Sequence, residues 1–362
     1  MKIVHVAGAR PNFVKIASVI RACQKCPGIE SLLVHTGQHY TPSMSKAFFE
    51  DLEIPEPDIN LGVGSGSHAS QTAEIMKRFE PVMLEHRPDA VLVVGDVNST
   101  VACALVATKL GAKVVHVEAG LRSFDRTMPE EVNRVLTDAI SDLLFVTEPS
   151  GVENLRREGI DGSKVHLVGN VMIDTLERHR QKAAQSKILT ELGVSPRSYA
   201  VVTLHRPSNV DDPATFESIL SALEHIQKDL VVVFPIHPRT QKQFQVCGLW
   251  DRLQQLRNIH TMDPLGYLDF LKLMSEAKIV ITDSGGIQEE TTILGVPCLT
   301  VRENTERPVT IIEGTNILVG TRTDRILEGY HRALAQGVTP RRPALWDGKA
   351  SERIADVLSR RL

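Results

Sequence analysis

Three acidic residues follow predicted strands and are placed to transfer protons. Asp96 comes after the apolar run at residues 90–94. Glu118 follows the next apolar run, at residues 114–117, and Glu130 lies shortly beyond it. Because open α/β sheets bind ligands at the carboxyl ends of their strands, we expect the three carboxylates to converge on one crevice. Neighbouring carboxylates repel each other, which separates their pKa values into acid and base roles, so the cluster indicates proton-transfer chemistry.

A Ser-Gly-Gly turn after a later strand predicts an anion-binding helix start. Ser284, Gly285 and Gly286 follow the apolar residues 279–282. Glycines let a ligand approach the backbone closely, and the exposed N–H groups and dipole of the following helix favour a phosphate. Glu290, about one turn into that helix, could accept hydrogen bonds from both hydroxyls of a ribose. A tight turn with a negatively charged helix start would give the same pattern.

Basic residues after two strands are candidates for contacting phosphate. Arg10 and Lys15 follow the first predicted strand, where an ordinary solvated helix start would show the same spacing. Residues 8–11, Gly-Ala-Arg-Pro, lack the Gly-x-Gly-x-x-Gly of dinucleotide-binding proteins, so NAD binding is not supported. Arg307 follows a later strand and could grip a diphosphate in a fork geometry. A surface ion pair with Glu306 is the alternative for Arg307.

Histidines stand at the ends of two strands in the second half of the chain. His205 and His237 occupy these positions, where a histidine can donate to phosphate or titrate near neutrality. Neither has the paired histidine or nearby cysteine of a zinc motif, so no metal site is predicted. Taken singly, a histidine of this kind is more often a structural or surface residue.

Apolar strand patterns alternate with helical patterns in two successive sets. The first set runs from residues 3–6 to residues 165–168, and the second from residues 200–203 to residues 298–301. This β-α-β alternation predicts an α/β protein whose parallel sheets are covered by helices on both faces. We therefore expect two doubly wound, Rossmann-like domains facing a central cleft.

The expected domain boundaries follow from the two sets and the length. A chain of 362 residues exceeds one ordinary core. We expect an N-terminal domain with the carboxylates at residues 1–170 and a nucleotide-binding domain at residues 171–349. Residues 350–362 have the apolar spacing of an amphipathic helix, which we expect to pack back on the first domain.

The composition excludes several classes of protein. The formal net charge of −3 argues against nucleic-acid binding. No apolar run approaches the roughly 20 residues of a membrane span, and no signal peptide is visible, which favours a cytoplasmic protein. The five cysteines are odd in number and scattered, as in a reducing compartment. Cys23 and Cys26 form a Cys-x-x-Cys within a predicted helix, where we expect two half-buried thiols rather than a metal or redox site.

Several short motifs occur together in one order, and the combination is more specific than any of them alone. They include Gly-Ala-Arg-Pro at 8–11, Thr-Gly-Gln-His at 36–39, Gly-Asp at 95–96, His-Val-Glu-Ala-Gly-Leu-Arg at 116–122, Pro-Glu-Glu-Val-Asn-Arg at 129–134, Thr-Leu-His-Arg at 203–206, the segment 283–290, and Thr-Glu-Arg-Pro at 305–308. By these motifs the chain resembles the non-hydrolysing UDP-N-acetylglucosamine (UDP-GlcNAc) 2-epimerases over roughly residues 1–320.

The resemblance implies a fold, an activity and an assembly. The fold would be two Rossmann-like domains of the GT-B glycosyltransferase type, and the protein would be a homodimer. The activity would be reversible conversion of UDP-GlcNAc into UDP-N-acetylmannosamine (UDP-ManNAc), with no redox cofactor and no metal ion. Elimination of UDP across C1–C2 would give a glycal, to which UDP re-adds. One carboxylate would take the C2 proton and another would return a proton from the other face.

The matching motifs also imply roles for individual residues. The catalytic group would be Asp96, Glu118, Glu130 and His205, with the histidine near the diphosphate. The phosphates would be held by Arg10, Lys15, Ser284, Gly285, Gly286 and Arg307. Glu290 would hold the ribose. Phe270 matches the uracil-side position, for which a simple buried helix residue is the alternative.

Two segments depart from the family pattern. His205-Arg206 is followed by Pro-Ser instead of Arg-Glu, and Gln38-His39 is followed by Tyr-Thr instead of Arg-Glu. The second segment is tied in the family to activation by another UDP-GlcNAc, which makes Gln38 and His39 the candidate allosteric residues. The alternatives are an epimerase of another UDP-2-acetamido sugar, a hydrolysing 2-epimerase, a GT-B glycosyltransferase and a non-catalytic sensor. The three carboxylates argue against a transferase, which has no need to protonate C2.

Overall fold

The computed structural model describes residues 1–37, 49, 52–336 and 341–362. These residues form two units, each built around its own parallel sheet. Unit 1 comprises Met1–Arg178 and Ala344–Leu362, and unit 2 comprises His179–Pro343. The structure confirms the predicted α/β class with two doubly wound parallel sheets, as expected for the GT-B type.

Unit 1 contains a seven-stranded sheet. Its strands are β1 (Lys2–Ala7), β2 (Glu30–His35), β3 (Ile59–Asn60), β4 (Ala90–Val94), β5 (Lys113–Ala119), β6 (Leu143–Val146) and β7 (Val165–Leu167). They pair in parallel in the order β3-β2-β1-β4-β5-β6-β7. The central strands are continuous apolar runs because helices cover both faces of the sheet. The winding direction reverses between β1 and β4, which is where α/β sheets open a binding crevice.

Several of the helices in unit 1 begin with residues that are typical of helix starts. The described helices are α1 (Arg10–Gln24), α2 (His68–His86), α3 (Asn98–Lys109), α4 (Pro129–Ile140), α5 (Pro149–Arg157) and α6 (Val171–Ala184), with a 3₁₀ turn at Gly162–Lys164. Proline stands in the first turn of α1, α4 and α5, where its missing N–H costs nothing. Ser67 caps α2 by accepting from the N–H of Ser70. The division between the two units falls within α6.

Unit 2 contains a six-stranded sheet. Its strands are β8 (Tyr199–Thr203), β9 (Val231–Pro235), β10 (Ile259–Met262), β11 (Ile279–Thr282), β12 (Cys298–Thr300) and β13 (Asn316–Leu318). The order is β10-β9-β8-β11-β12-β13, so the winding direction reverses between β8 and β11. The helices are α7 (Ile188–Glu191), α8 (Pro207–Val210), α9 (Pro213–Ile226), α10 (Pro238–Val246), α11 (Trp250–Gln254), α12 (Tyr267–Ser275), α13 (Gly285–Leu294), α14 (Val309–Ile312) and α15 (Thr323–Gln336).

The last described segment returns to unit 1 and ends in α16 (Ala350–Arg361). Trp346 is fully buried there and donates from Nε1 to the carbonyl of Thr147 at 2.9 Å. The carboxylate of Asp174, on α6, accepts from the N–H groups of Ala350 and Ser351 at 3.1 and 2.6 Å. These bonds satisfy the first N–H groups of α16, which packs against α1. The segment is therefore an integral part of unit 1.

Candidate active site

Glu118 forms a buried ion pair with Lys15 in unit 1. The ammonium Nζ contacts Oε2 of Glu118, and the two side chains are 8% and 4% exposed. Glu118 has a φ of 73°, a left-handed conformation that non-glycine residues rarely adopt. The register between β5 and β6 shifts between Val117 and Ala119. An irregularity of this kind re-aims a side chain, and backbone strain is typically retained at functional sites.

Asp96 lies at the end of the neighbouring strand. The guanidinium Nη1 of Arg134, on α4, donates to Oδ2 of Asp96 at 2.5 Å. The Asp96 side chain is 25% exposed, so part of its carboxylate faces solvent. The N–H of Gly95 donates to the carbonyl of Val117 at 3.1 Å, which ties the two strand ends together. Asp96 and Glu118 therefore occupy adjacent strand ends, each in contact with a buried cation.

The two consecutive glutamates of α4 differ in their surroundings. Glu131 is buried and accepts from the N–H groups of Ser123 and Phe124 at 3.0 and 2.9 Å and from Arg134 at 2.7 Å. Burial opposes ionisation of Glu131, but these donors outweigh it and lower its pKa. Glu131 thus holds the loop that follows β5. Glu130 is half-buried in the first turn of α4 and forms no ion pair with any residue that the structure describes.

Asp138, which the sequence analysis missed, fixes the end of β5. Its carboxylate contacts Nδ1 of His116 at 2.6 Å and Nη2 of Arg122 at 2.7 Å, and accepts from the N–H of Gly120 at 3.0 Å. Burial opposes ionisation of Asp138, but the charges of His116 and Arg122 outweigh it and lower its pKa. Nε2 of His116 contacts the carbonyl of Gly95 at 2.9 Å. Both ring nitrogens of His116 therefore have a partner.

Three candidate residues of unit 1 are not fully described. Arg10 begins α1, but its side chain lies outside the described part of the chain. Gln38 and His39 lie wholly outside the described residues. The phosphate contact of Arg10 and the allosteric role of Gln38 and His39 therefore stay predictions from the sequence.

The Ser-Gly-Gly turn of unit 2 lies where the winding of the sheet reverses. It joins β11 to α13, and Gly285 and Gly286 are the first residues of that helix. Ser284 has an extended backbone and its side chain does not cap the helix, which leaves the first N–H groups for another acceptor. A Cβ on Gly285 would lie 2.4 Å from Nη1 of Arg307, so this close approach requires glycine.

Arginines and glutamates pack against this turn. Arg307 is buried; its Nε donates to Glu289 at 2.6 Å and its Nη1 contacts Glu306. Glu306 also accepts from Arg302 at 2.8 Å and lies 3.6 Å from Nη2 of Arg206. Arg307 does pair with Glu306, but both residues are buried rather than at the surface. Guanidinium groups thus lie beside the helix start, and the N–H groups and dipole of that helix favour an anion there.

Glu290 is buried further along α13. The hydroxyl of Tyr267, on α12, donates to Oε1 of Glu290 at 3.0 Å. Burial raises the pKa of Glu290 to about 7, with a further contribution from Glu289. Phe270 is half-buried on α12. Sequence analysis missed Tyr267 because an aromatic residue in an amphipathic helix has the pattern of an ordinary core residue.

The raised pKa of Glu290 predicts a pH-dependent stability. Folded Glu290 keeps its proton up to a pH of about 7, whereas an unfolded glutamate loses it near 4.5. Between these values the folded state binds more protons, so the free energy of unfolding falls as pH rises, by about 3 kcal/mol. Glu290→Gln lacks this titration and is the control. Urea unfolding at about pH 5 and about pH 8, followed by Trp250 fluorescence in a Trp346→Phe background, measures the difference. Parallel pH curves for the two proteins would contradict the prediction.

His205 follows β8 and contacts a buried carboxylate. Its Nδ1 lies 2.9 Å from Oδ1 of Asp283, and its side chain is 45% exposed. The ring centroid of His237 is 6.2 Å away. Because Asp283 immediately precedes Ser284, His205 stands beside the Ser-Gly-Gly turn. Unit 2 thus contains most of the residues that were predicted to bind the nucleotide.

Other features of the described residues concern membranes, metals and thiols. None of the described helices combines the length and apolarity that crossing a membrane requires. Within the described ranges, no group of three or more His, Cys, Asp or Glu side chains is arranged to hold a metal ion. Cys23 is fully buried and Cys26 half-buried, so only the second matches the expected half-buried thiol. Burial raises the pKa of Cys23 to about 12.

Known proteins are similar to this chain over nearly its whole length. The family model for UDP-N-acetylglucosamine 2-epimerase matches residues 21–359. The UDP-N-acetylglucosamine 2-epimerase of Methanocaldococcus jannaschii is 43% identical over 364 residues, covering 99% of each chain. The UDP-2,3-diacetamido-2,3-dideoxy-D-glucuronate 2-epimerase of Pseudomonas aeruginosa is 40% identical over 364 residues, covering 99% of this chain and 100% of the relative.

A solved structure agrees with the sequence comparison. The crystal structure of the Methanocaldococcus jannaschii UDP-GlcNAc 2-epimerase in complex with UDP-GlcNAc and UDP has a TM-score of 0.95 to this chain at 42% identity. The match covers 99% of this chain and 100% of that chain. The family resemblance drawn from the motifs is confirmed by these matches. The chain therefore belongs to the UDP-N-acetylglucosamine 2-epimerase family.

Proposed function

We propose that this protein interconverts UDP-GlcNAc and UDP-ManNAc without hydrolysis. One observation carries the proposal: Asp96 and Glu118 end adjacent strands, and each contacts a buried cation, Arg134 or Lys15. Inversion at C2 requires one group that removes a proton and another that supplies one from the opposite face. Two closely placed carboxylates in different surroundings are suited to these two roles. Glu130, on the helix that supplies Arg134, is the third candidate.

The chemistry of the sugar explains why the reaction involves UDP. The hydrogen at C2 is not next to a carbonyl group, so its direct removal is unfavourable. A carboxylate takes the C2 proton while the C1–O bond breaks, and the electron pair of that bond leaves with the β-phosphate of UDP. The product is a 2-acetamidoglycal. UDP then re-adds at C1 as a proton is delivered to the other face of C2. Cationic groups at the diphosphate stabilise the charge that develops on the leaving group.

The same proposal assigns the nucleotide to residues of unit 2. The Ser-Gly-Gly turn and Arg307 hold the diphosphate, Glu290 accepts from the ribose hydroxyls, and Phe270 lies on the uracil side. Arg10 and Lys15 stay the candidates for phosphate contact in unit 1, where Lys15 is paired with Glu118. No redox cofactor and no metal ion takes part in this scheme. A homodimer, which the family resemblance implies, completes the proposal.

A second substrate is favoured by one comparison. The Pseudomonas aeruginosa relative, 40% identical, is named for UDP-2,3-diacetamido-2,3-dideoxy-D-glucuronate. Its sugar differs from that of UDP-GlcNAc by an acetamido group at C3 and a carboxylate at C6. Both nucleotide sugars share the C2 acetamido group and the leaving UDP, so the same elimination applies. Parallel assays with the two substrates decide which sugar the site accepts.

Proton NMR of the purified protein with UDP-GlcNAc in D₂O tests the proposal. We expect UDP-GlcNAc and UDP-ManNAc to equilibrate, with deuterium entering C2 of both. Solvent exchange is required because the abstracted proton is lost to water before another is returned. Epimerisation that keeps the original C2 hydrogen throughout would reject this route.

Other products would identify other activities. A hydrolysing epimerase would release free ManNAc together with UDP. A glycosyltransferase would leave UDP-GlcNAc unepimerised and would need an acceptor. Binding of UDP-GlcNAc by calorimetry, with no turnover and no exchange at C2, would indicate a sensor. UDP-GlcNAc added to heat-denatured protein is the control for spontaneous breakdown.

A further inference from the structure

The carboxylate of Asp283 contacts several groups of the segment that follows β8. Asp283 is fully buried, and its carboxylate accepts from the N–H groups of His205 and Arg206 at 2.9 Å each. The side-chain amide of Asn209 contacts the same oxygen, Oδ2, at 3.3 Å. The other oxygen, Oδ1, lies 2.9 Å from Nδ1 of the His205 ring. Two main-chain groups and one amide thus fix the carboxylate, and one of its oxygens is directed at the imidazole.

This contact decides which ring nitrogen of His205 carries the proton. Burial opposes ionisation of Asp283, but His205 and the main-chain donors outweigh it and hold its pKa below the usual range. An ionised carboxylate only accepts hydrogen bonds, so Nδ1 must donate. In the neutral ring, Nε2 then holds the lone pair; in the charged ring, Nε2 carries the second N–H. The ring is 45% exposed, and its Nδ1 is the nitrogen that faces the buried carboxylate.

The charges around the ring favour an anionic partner for Nε2. The Ser-Gly-Gly turn begins at the residue after Asp283, and Arg206 donates from Nε to the carbonyl of Asp283 at 3.0 Å. Besides the ionised Asp283, the carboxylate that faces Arg206 is Glu306, which is already shared with Arg302 and Arg307. The nearby ring of His237 brings no negative charge. A phosphate oxygen at this turn would therefore meet hydrogen-bond donors from the helix start and from the guanidinium groups beside it.

We propose that Asp283 is a positioning residue that fixes the His205 ring with Nδ1 as donor, so that Nε2 exchanges a proton with the leaving diphosphate. The inference rests on the proposed function, because it requires UDP as leaving group. The donor form is the imidazolium, in which Nδ1 donates to Asp283 and Nε2 carries the second proton. When the C1–O bond breaks, its electron pair stays on the β-phosphate oxygen, the Nε2 proton moves to that oxygen, and the ring becomes neutral with its remaining proton on Nδ1. When UDP re-adds at C1, the proton returns to Nε2. Asp283 stays ionised throughout and touches no reacting atom.

Nitrogen NMR tests the tautomer without any turnover. In protein labelled with ¹⁵N histidine, the His205 signals are assigned by their loss in His205→Gln. We expect Nδ1 of the neutral ring to be protonated in the native protein. In Asp283→Asn the amide N–H₂ faces Nδ1, so the proton should move to Nε2. A native ring with its proton on Nε2 would overturn the inference, even where Asp283→Asn fails to fold.

Kinetics and a matched control separate positioning from loop stability. Asp283→Asn should lower kcat about 10²-fold, the usual contribution of a positioned acid or base, while KM changes little. Asn209→Ala removes another contact of Asp283 but leaves the carboxylate facing the ring. It should lower the melting temperature yet keep the native tautomer and most of kcat. Equal losses of kcat in the two variants would mean that Asp283 only holds the loop. A native protein that binds UDP with the expected tautomer but does not epimerise would reject the proposed function and leave the tautomer assignment intact.

Discussion

Replacing Glu118 by Gln is expected to lower the epimerisation rate by about 10²–10⁴, the usual contribution of a general acid or base. The amide keeps the shape and hydrogen-bonding capacity of Glu118 but cannot exchange the proton. The variant also deprives the buried ammonium of Lys15 of its carboxylate, and breaking a buried ion pair costs about 3–5 kcal/mol of stability. The rate must therefore be measured per folded molecule, with the folded fraction taken from thermal unfolding. UDP affinity should change much less, because we assign the nucleotide to unit 2.

Two further variants control for the lost ion pair. Asp96→Asn removes the other strand-end carboxylate, which is 25% exposed, and Arg134 keeps its bonds to Glu131. It should show a comparable rate loss with a smaller loss of stability. Lys15→Met combined with Glu118→Gln removes both charges and should recover part of the stability without recovering the rate. A near-normal rate in folded Glu118→Gln or Asp96→Asn would remove that residue from the mechanism.

Trp346→Ala should destabilise unit 1 by about 3–5 kcal/mol, the range for truncating a large buried aromatic side chain. Trp346 is fully buried, and its loss also leaves the carbonyl of Thr147 without the indole donor. Because α16 begins four residues after Trp346, we expect the C-terminal segment to detach from the rest of unit 1 once this anchor is lost. Circular dichroism should therefore show an earlier melting transition in Trp346→Ala than in the native protein.

The other tryptophan provides the matched control for this variant. Trp250 is half-buried against the core of unit 2, so Trp250→Ala should cost less. In Trp346→Ala, Trp250 is the remaining tryptophan, so selectively excited tryptophan fluorescence reports on unit 2 alone. We expect its fluorescence transition to stay near the native midpoint while the early transition appears in circular dichroism. Unchanged melting in Trp346→Ala would show that the C-terminal segment does not stabilise unit 1.

Long apolar strands could be predicted from the sequence, whereas the shortest strands could not. Residues 90–94 form β4 as expected, because a continuous apolar run bounded by polar residues has few other stable placements. The edge strands Ile59–Asn60 and Asn316–Leu318 are too short to carry a periodic signal. Their pairing is set by the strands beside them, which local sequence does not report.

The candidate site shows the same limit at the level of single side chains. Motif residues such as Ser284 and Glu290 were recognisable by their spacing after a strand. Two partners were not recognisable: Asp138, which contacts His116, and Tyr267, which contacts Glu290, each lie on another element, 22 and 23 residues away in sequence. Lys15 was expected to contact phosphate, and the structure pairs it with Glu118. A single sequence reports what a residue can bind, but the fold decides which partner it meets.

The order of the two units along the chain has a consequence for protein synthesis. His179–Pro343 stands between Met1–Arg178 and Ala344–Leu362, so unit 2 interrupts unit 1. Domains generally fold as they leave the ribosome, in N-terminal to C-terminal order. Here unit 2 is synthesised in full before Trp346 and α16 are made. The unit that starts first is thus completed last, and a released chain truncated before Ala344 should carry a folded unit 2 together with a protease-sensitive unit 1.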